Sequence, residues 1–250
     1  MLVGFYFKVM ANLVFQVNIP QNNIKTSGRK EFVYSNDLYS FSNMKAKEYA
    51  NKNHADYFCL KEPWEKIKEL GATFHKLYLY ELFENYDKIF YVDSDAVITK
   101  ICPNIFEYNT LSAIKDNNNA NILRRKNEIH NLDEDWLYFC AGVVLFDKKF
   151  YENTKAHWND ELLNWKDVNN AQHDQSVLNV LSFKYYGEYN NLAPEWGAWY
   201  KRGKYIIHYN GSKTLKWTFD KFDKFESKWI NREEKSGGLM FLDQNRNKEN

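Results

Sequence analysis

Two carboxylates one residue apart, Asp93-Ser94-Asp95, close a short apolar run (Ile89, Phe90, Tyr91, Val92). Aspartate is almost never fully buried unless it is paired or holds a metal. Two oxygen ligands at this spacing can share one hard divalent cation, with a diphosphate filling the rest of its shell. Far downstream, His208 closes a second apolar run (Tyr205, Ile206, Ile207), and Gly211 and Lys213 follow. Imidazole offers a nitrogen ligand, glycine lets the backbone approach an anion, and lysine brings a point charge to a phosphate. A bare DxD also occurs as a strand-end turn with Asx capping, and a histidine at a strand end is often structural.

The elements that must carry these groups read as alternating strands and helices. Four β-prone residues in a row with no helical period make 89–92 a strand buried on both faces. In open α/β sheets ligands bind beyond the carboxyl ends of the strands, which is where the acidic pair falls. Residues 12–18 and 56–60 read as two earlier strands, with a helix over 39–53 between them. After Pro63 the residues Ile67, Leu70, Phe74, Leu77, Tyr78 and Leu82 recur at three and four, which predicts a long helix with one apolar face and Lys76 away from it. Residues 111–115 form a strand ending in Asp116, and 117–137 a polar, mobile loop. Residues 138–146 form a strand in which Gly142 permits close backbone approach. Helices follow over 150–165 and 172–183, then a last strand over 205–209. The order predicts an α/β chain with a mostly parallel central sheet flanked by helices, in a single domain over 1–250, with about 219–250 as a C-terminal helix and tail.

Composition sets bounds. The chain has 250 residues and a formal net charge of +1, which suits one α/β domain and argues against a general nucleic-acid binder. Cys59, Cys102 and Cys140 are widely spaced and form neither a disulfide framework nor a metal pair, which places the chain in a reducing compartment, the cytoplasm. The apolar N-terminus is interrupted by Lys8 and Asn12, so neither a membrane span nor a signal peptide is expected.

The motifs together resemble those of a GT-A-fold glycosyltransferase of the glycogenin and bacterial lipooligosaccharide galactosyltransferase kind, glycosyltransferase family 8. Residues 72–98 are similar to that family's helix, acidic turn and DxD strand, and Lys76 stands where the family has a basic residue reaching the sugar nucleotide. Phe139-Cys140-Ala141-Gly142-Val143 resembles a Phe-Asn-Ala-Gly-Val stretch, with Cys140 in place of the asparagine. Asp174-Gln175-Ser176-Val177-Leu178-Asn179 resembles the family's Asp-Gln-x-x-Leu-Asn helix start. His208-Tyr209-x-Gly211-x-Lys213 resembles its His-Phe-x-Gly near Lys-Pro-Trp, the proline being absent, so that Lys213 or Lys216 would meet the phosphate. The N-terminal third matches only in pattern, which is also similar to glycosyltransferase family 34. Strand–Asp-x-Asp-x-Val is in addition how haloacid-dehalogenase-type phosphatases present a nucleophilic aspartate. Such an enzyme opens its core with that pair and ends with a second acidic pair, whereas here the pair comes mid-chain and the late strand end carries His208.

The resemblance implies a nucleotide-sugar donor, most simply a UDP-sugar, and a glycan, glycoprotein or glycolipid acceptor. Uracil and ribose would lie near Val17 and Asn18, with Lys76 and Ser94 close by. Asp93, Asp95 and His208 would hold the metal, a mixed oxygen and nitrogen set that suits Mn²⁺ better than Mg²⁺. Gly211 and Lys213 would face the diphosphate. The family retains anomeric configuration, and Asp174 and Gln175 are its candidates near the reacting carbon, with Asp116 on the donor sugar's hydroxyls. A loop turn and a helix N-cap account for the last three equally well. A catalytically silent sugar-nucleotide or glycan-binding module on the same fold is the alternative of a different class.

Overall fold

The apolar runs become strands, all but the last of them in one sheet. The structure, a computed structural model, describes residues 11–19, 36–116, 136, 138–165, 173–187, 189–197, 203–209, 222–224, 226–228 and 230. In chain order its elements are β1 (Asn12–Val17), α1 (Asn36–Lys52), β2 (Asp56–Leu60), α2 (Leu79–Leu82), β3 (Lys88–Val92), β4 (Ala96–Ile98), β5 (Ser112–Lys115), β6 (Phe139–Asp147), α3 (Lys148–Thr154), α4 (Trp158–Trp165), α5 (His173–Leu181), β7 (Asn190–Asn191) and β8 (Ile206–His208). Six strands form a sheet in the order β2-β1-β3-β6-β5-β7, and β4 and β8 form a separate pair. β1 runs parallel to β2 and β3, and β5 parallel to β7, while β6 is antiparallel to both β3 and β5. Every strand of the six but β6 therefore points the same way, and the carboxyl ends of β1, β3 and β5 share one edge.

The sheet is covered on both faces, as side chains alternate across each strand. Leu13, Phe15, Ile89, Tyr91, Val144 and Phe146 enter one core cluster with Phe74, Leu77, Phe83 and Val177. Their neighbours Val14, Phe90, Val92, Val143 and Leu145 enter the other, with Ala46 and Tyr49 of α1 and with Ala96 and Ile206 of the β4–β8 pair. Behind that pair a third cluster joins Leu38, Phe41, Val97, Ile207 and Tyr209 to Phe222 of the C-terminal helical residues. No helix among the described residues is long and apolar enough to cross a membrane.

The long helix expected after Pro63 is not formed. The chain makes two 3₁₀ segments, Glu65–Ile67 and Ala72–Tyr78, before the single turn α2, with Gly71 extended between them (φ −61°, ψ 156°). Phe74, Leu77, Tyr80 and Phe83 recur at strict intervals of three and are all buried, the stripe that three residues per turn produces. His75 and Lys76 are buried as well, so this segment is enclosed nearly all round. The helix expected over 150–165 is two, α3 and α4, joined by a turn, and the one over 172–183 continues past α5 into a π-helical turn, Ser182–Tyr186. Trp196 is a core residue at 2% exposure. The loop expected over 117–137 lies, apart from Trp136, outside the described residues.

Candidate active site

The acidic turn hangs from the end of β3 and is held from three sides. The Asp93 N–H donates to the Gly142 carbonyl (2.8 Å) and the Ala96 N–H to the Asp93 carbonyl (2.9 Å), which closes the turn into β4. The Ser94 hydroxyl donates to the Val17 carbonyl at the end of β1. Beneath it the fully buried Gln16 donates to Ser42 (3.0 Å) and accepts from the Tyr57 hydroxyl (3.0 Å), and Ser42 donates to the Ala96 carbonyl. The antiparallel pair then fixes the partner across 113 positions: Ala96 faces His208 in register, and the Tyr209 N–H donates to the Asp95 carbonyl (2.9 Å).

This framework sets His208 Nε2 3.2 Å from Asp95 Oδ1 and 3.5 Å from Asp93 Oδ2. One ligand atom from each of the three side chains lies within 4.8 Å of the other two. Gly142 is what allows the approach. A Cβ there would sit 2.5 Å from both Asp93 Oδ2 and His208 Cε1. β6 supplies that glycine from a bulge. Val144 pairs with Ala113 and Cys140 with Ile114, which leaves Ala141, Gly142 and Val143 without partners on β5. Such bulges re-aim backbone and side chains near active sites. Here the freed Ala141 N–H donates to Gln175 Oε1 (3.2 Å), and the Ala141 carbonyl accepts from Lys76 Nζ (3.1 Å).

Lys76, 4% exposed, is the buried cation of the site. Its ammonium is 2.6 Å from Asp174 Oδ2 and 3.4 Å from Asp93 Oδ1, and lies 4.7 Å from the centroid of the Tyr91 ring. The Tyr91 hydroxyl donates to Asp93 Oδ1 (2.7 Å). Burial pulls the Lys76 ammonium down, but Asp174 and Asp93 more than reverse this and hold it above its ordinary range. Burial pushes the Asp174 carboxyl up, and the Lys76 charge offsets only part of that. Burial would raise Asp93 too, yet Lys76 and then His208 bring it below the usual carboxylate range. Burial lowers His208, but Asp95 first, with Cys140 and Asp93, carries it well above the ordinary imidazole range.

The residues fit a divalent cation. Two carboxylate oxygens and one imidazole nitrogen converge, a donor set for Mn²⁺ or a similar ion. With His208 neutral, Asp93, Asp95 and Asp174 outweigh Lys76 by two negative charges, which one divalent ion neutralises.

Of the remaining expected residues, Val17, Asn18, Asp116 and Gln175 are described. Val17 ends β1 against Ser94, and the Asn18 N–H donates to the Leu60 carbonyl (2.8 Å). Asp116 follows β5, and its Oδ2 accepts from Gln175 Nε2 (2.9 Å), so Gln175 is bonded at both ends of its amide. Gly211 and Lys213 lie outside the described residues. Tyr91 and Asn179 carry roles not assigned from sequence. Asn179 accepts from the Phe139 N–H (2.9 Å) and donates to the Phe139 carbonyl (2.9 Å), pairing as a strand residue would and clamping α5 to β6. Tyr91 was legible in principle, because a residue two before Asp93 shares its face of the strand.

The glycosyl transferase family 8 profile matches residues 7–218. A search by sequence against curated proteins returns no match. Among solved structures, the galactosyltransferase LgtC in complex with donor and acceptor sugar analogues superposes with a TM-score of 0.54 at 15% identity, over 93% of this chain and 98% of its own. The bifunctional glycosyltransferase WbbM gives 0.57 at 14% identity over 92% of this chain, and this chain spans only 53% of it. GlyE of Streptococcus pneumoniae TIGR4 gives 0.53 at 14% identity, covering 92% of this chain and 64% of GlyE.

Proposed function

The chain belongs to glycosyl transferase family 8, and from that premise we propose that it is a metal-dependent transferase moving a sugar from a UDP-sugar to a hydroxyl of a glycan, glycoprotein or glycolipid, with retention of configuration. The observation that carries this reading is the convergence of Asp93, Asp95 and His208 at the carboxyl edge of the sheet. The same convergence disfavours the phosphatase alternative, since an imidazole stands where that chemistry needs a second acidic pair.

Asp93 Oδ2, Asp95 Oδ1 and His208 Nε2 would hold Mn²⁺ or Mg²⁺, which when bound supplies Lewis-acid neutralisation of a diphosphate leaving group. Val17 and Asn18, at the end of β1 beside Ser94, border the space for uracil and ribose. Lys213 adds positive charge where the diphosphate gathers negative charge as the sugar–phosphate bond breaks. Asp116, oriented by Gln175, accepts hydrogen bonds from donor-sugar hydroxyls. Asp174 is ion-paired to Lys76 and Gln175 is bonded through both amide atoms, so neither is presented as a nucleophile. Retention then follows from acceptor attack on the face the leaving group departs from, through an oxocarbenium-like state. The unpaired thiols of Cys59, Cys102 and Cys140 suit a reducing compartment, and we place the enzyme in the cytoplasm.

Incubation with a panel of UDP-sugars and Mn²⁺ should release UDP slowly even without acceptor, and the preferred donor identifies the sugar. Asp95→Ala should abolish both metal-dependent UDP binding and turnover. Unchanged activity in that variant removes the metal role. Tight UDP binding with no turnover of any donor selects the silent binding module instead.

A further inference from the structure

We infer that Tyr91 is a positioning residue whose hydroxyl turns the Asp93 carboxylate so that only Oδ2 faces the metal. The inference rests on the metal-dependent reading above and adds to it which oxygen binds and what holds it there.

Asp93 has two oxygens with different surroundings. Oδ1 accepts from the Tyr91 hydroxyl at 2.7 Å and lies 3.4 Å from Lys76 Nζ. Oδ2 lies 3.5 Å from His208 Nε2 and is the oxygen that packs against Gly142. The terminal torsion of aspartate is broad and roughly two-fold, so nothing intrinsic to the side chain chooses between them. The choice comes from Tyr91. Its ring is 2% exposed, packs edge-on against Phe15 with centroids 5.5 Å apart, and lies beneath the Lys76 ammonium at 4.7 Å. A ring caged in this way cannot swing its hydroxyl elsewhere.

Lys76 reaches the same oxygen with its third N–H, but only at 3.4 Å, its shorter contacts going to Asp174 at 2.6 Å and to the Ala141 carbonyl at 3.1 Å, so the hydroxyl at 2.7 Å is the closer hold on Oδ1. Groups that orient a metal ligand through its second atom typically change metal affinity by about 10–100-fold when removed. Tyr91→Phe deletes one oxygen, leaves the ring in place, and leaves no donor without a partner.

The test is Mn²⁺ binding to the full chain, followed by electron paramagnetic resonance of free Mn²⁺ in the absence of nucleotide. The KM for Mn²⁺ and kcat in donor hydrolysis are measured alongside. Tyr91→Phe should raise the dissociation constant and the KM for Mn²⁺ by about tenfold or more, with kcat at saturating Mn²⁺ within about twofold of the wild type and thermal unfolding still cooperative. Phe83→Leu loosens the same core cluster at a ring stacked on Tyr151 and not on Tyr91, and should lower stability while leaving Mn²⁺ affinity unchanged. Wild-type affinity in Tyr91→Phe overturns the inference alone. Equal weakening in Phe83→Leu also overturns it, because the effect is then one of general packing. A wild-type chain that binds no Mn²⁺ removes the metal reading and this inference with it.

Discussion

Gly142→Ala puts the geometry of the site under a direct load. The added Cβ would sit 2.5 Å from Asp93 Oδ2, 2.5 Å from His208 Cε1 and 3.3 Å from Asp93 Cγ. Ordinary contact begins at 3.4 Å, so two of the three ligand side chains must retreat by about 0.9 Å or the strand must move. Neither retreat is easy. Asp93 Oδ1 is bonded to Tyr91, and His208 is fixed by its register with Ala96. Moving the strand strains the bond from the Asp93 N–H to the Gly142 carbonyl (2.8 Å). Overpacking of this kind costs about 1–3 kcal/mol of stability. A binding constellation tolerates only about 0.5 Å of displacement, so Mn²⁺ affinity should fall by at least tenfold, about 1.4 kcal/mol. Calorimetric Mn²⁺ titration gives the affinity, and urea unfolding of the metal-free protein gives the stability. Gly71→Ala is the control, because nothing lies within 4 Å of its Cβ and its φ of −61° suits alanine. That variant should bind Mn²⁺ normally and be unchanged or more stable by about 0.4–1 kcal/mol. Wild-type Mn²⁺ affinity in Gly142→Ala would refute the claim that Asp93 and His208 close on an ion in the arrangement described.

Two further outcomes are expected. Lys76→Met leaves the buried Asp174 carboxylate without its counter-charge and should cost about 3–5 kcal/mol in urea unfolding; adding Asp174→Asn should restore a large part of the loss, and strictly additive costs would show that the two groups do not act as a pair. His75 is buried, its Nδ1 accepts from the Trp64 N–H (3.0 Å), and burial holds its pKa below the ordinary imidazole value, a shift the Leu70 backbone opposes only in part. A base with a lowered folded pKa contributes stability that is complete above the unfolded value, about 6.5, and is lost as pH falls through that value toward the folded one. The melting temperature should therefore decline below about pH 6.5, and His75→Gln, which keeps an acceptor for Trp64, should flatten that decline; identical profiles would rule out this coupling.

The sequence by itself determined six of the eight described strands, all but Ala96–Ile98 and Asn190–Asn191, and the place of the acidic pair. Unbroken apolar runs such as Ile89, Phe90, Tyr91 and Val92 can only be satisfied by burial on both faces, and a carboxylate pair after such a run must lie at the sheet's edge. The repetition of apolar residues after Pro63 picked out Ile67, Phe74 and Leu77, which are buried, but missed Tyr80, Phe83 and Lys76 and the helix type, because intervals of three and four are read from the same short stretch. What only the tertiary structure decided is which groups meet. Ile206–His208 was legible within an apolar run and the three-residue Ala96–Ile98 was not, and neither announces its partner, yet their antiparallel ladder brings His208 to within 3.2 Å of Asp95. Lys76 gave no sign of being enclosed between Asp174 and Asp93, since its burial comes from a helix nearly a hundred positions later. Periodicity reports a residue's neighbours along the chain, whereas charge, ligation and steric room at this site are set by neighbours that only folding supplies.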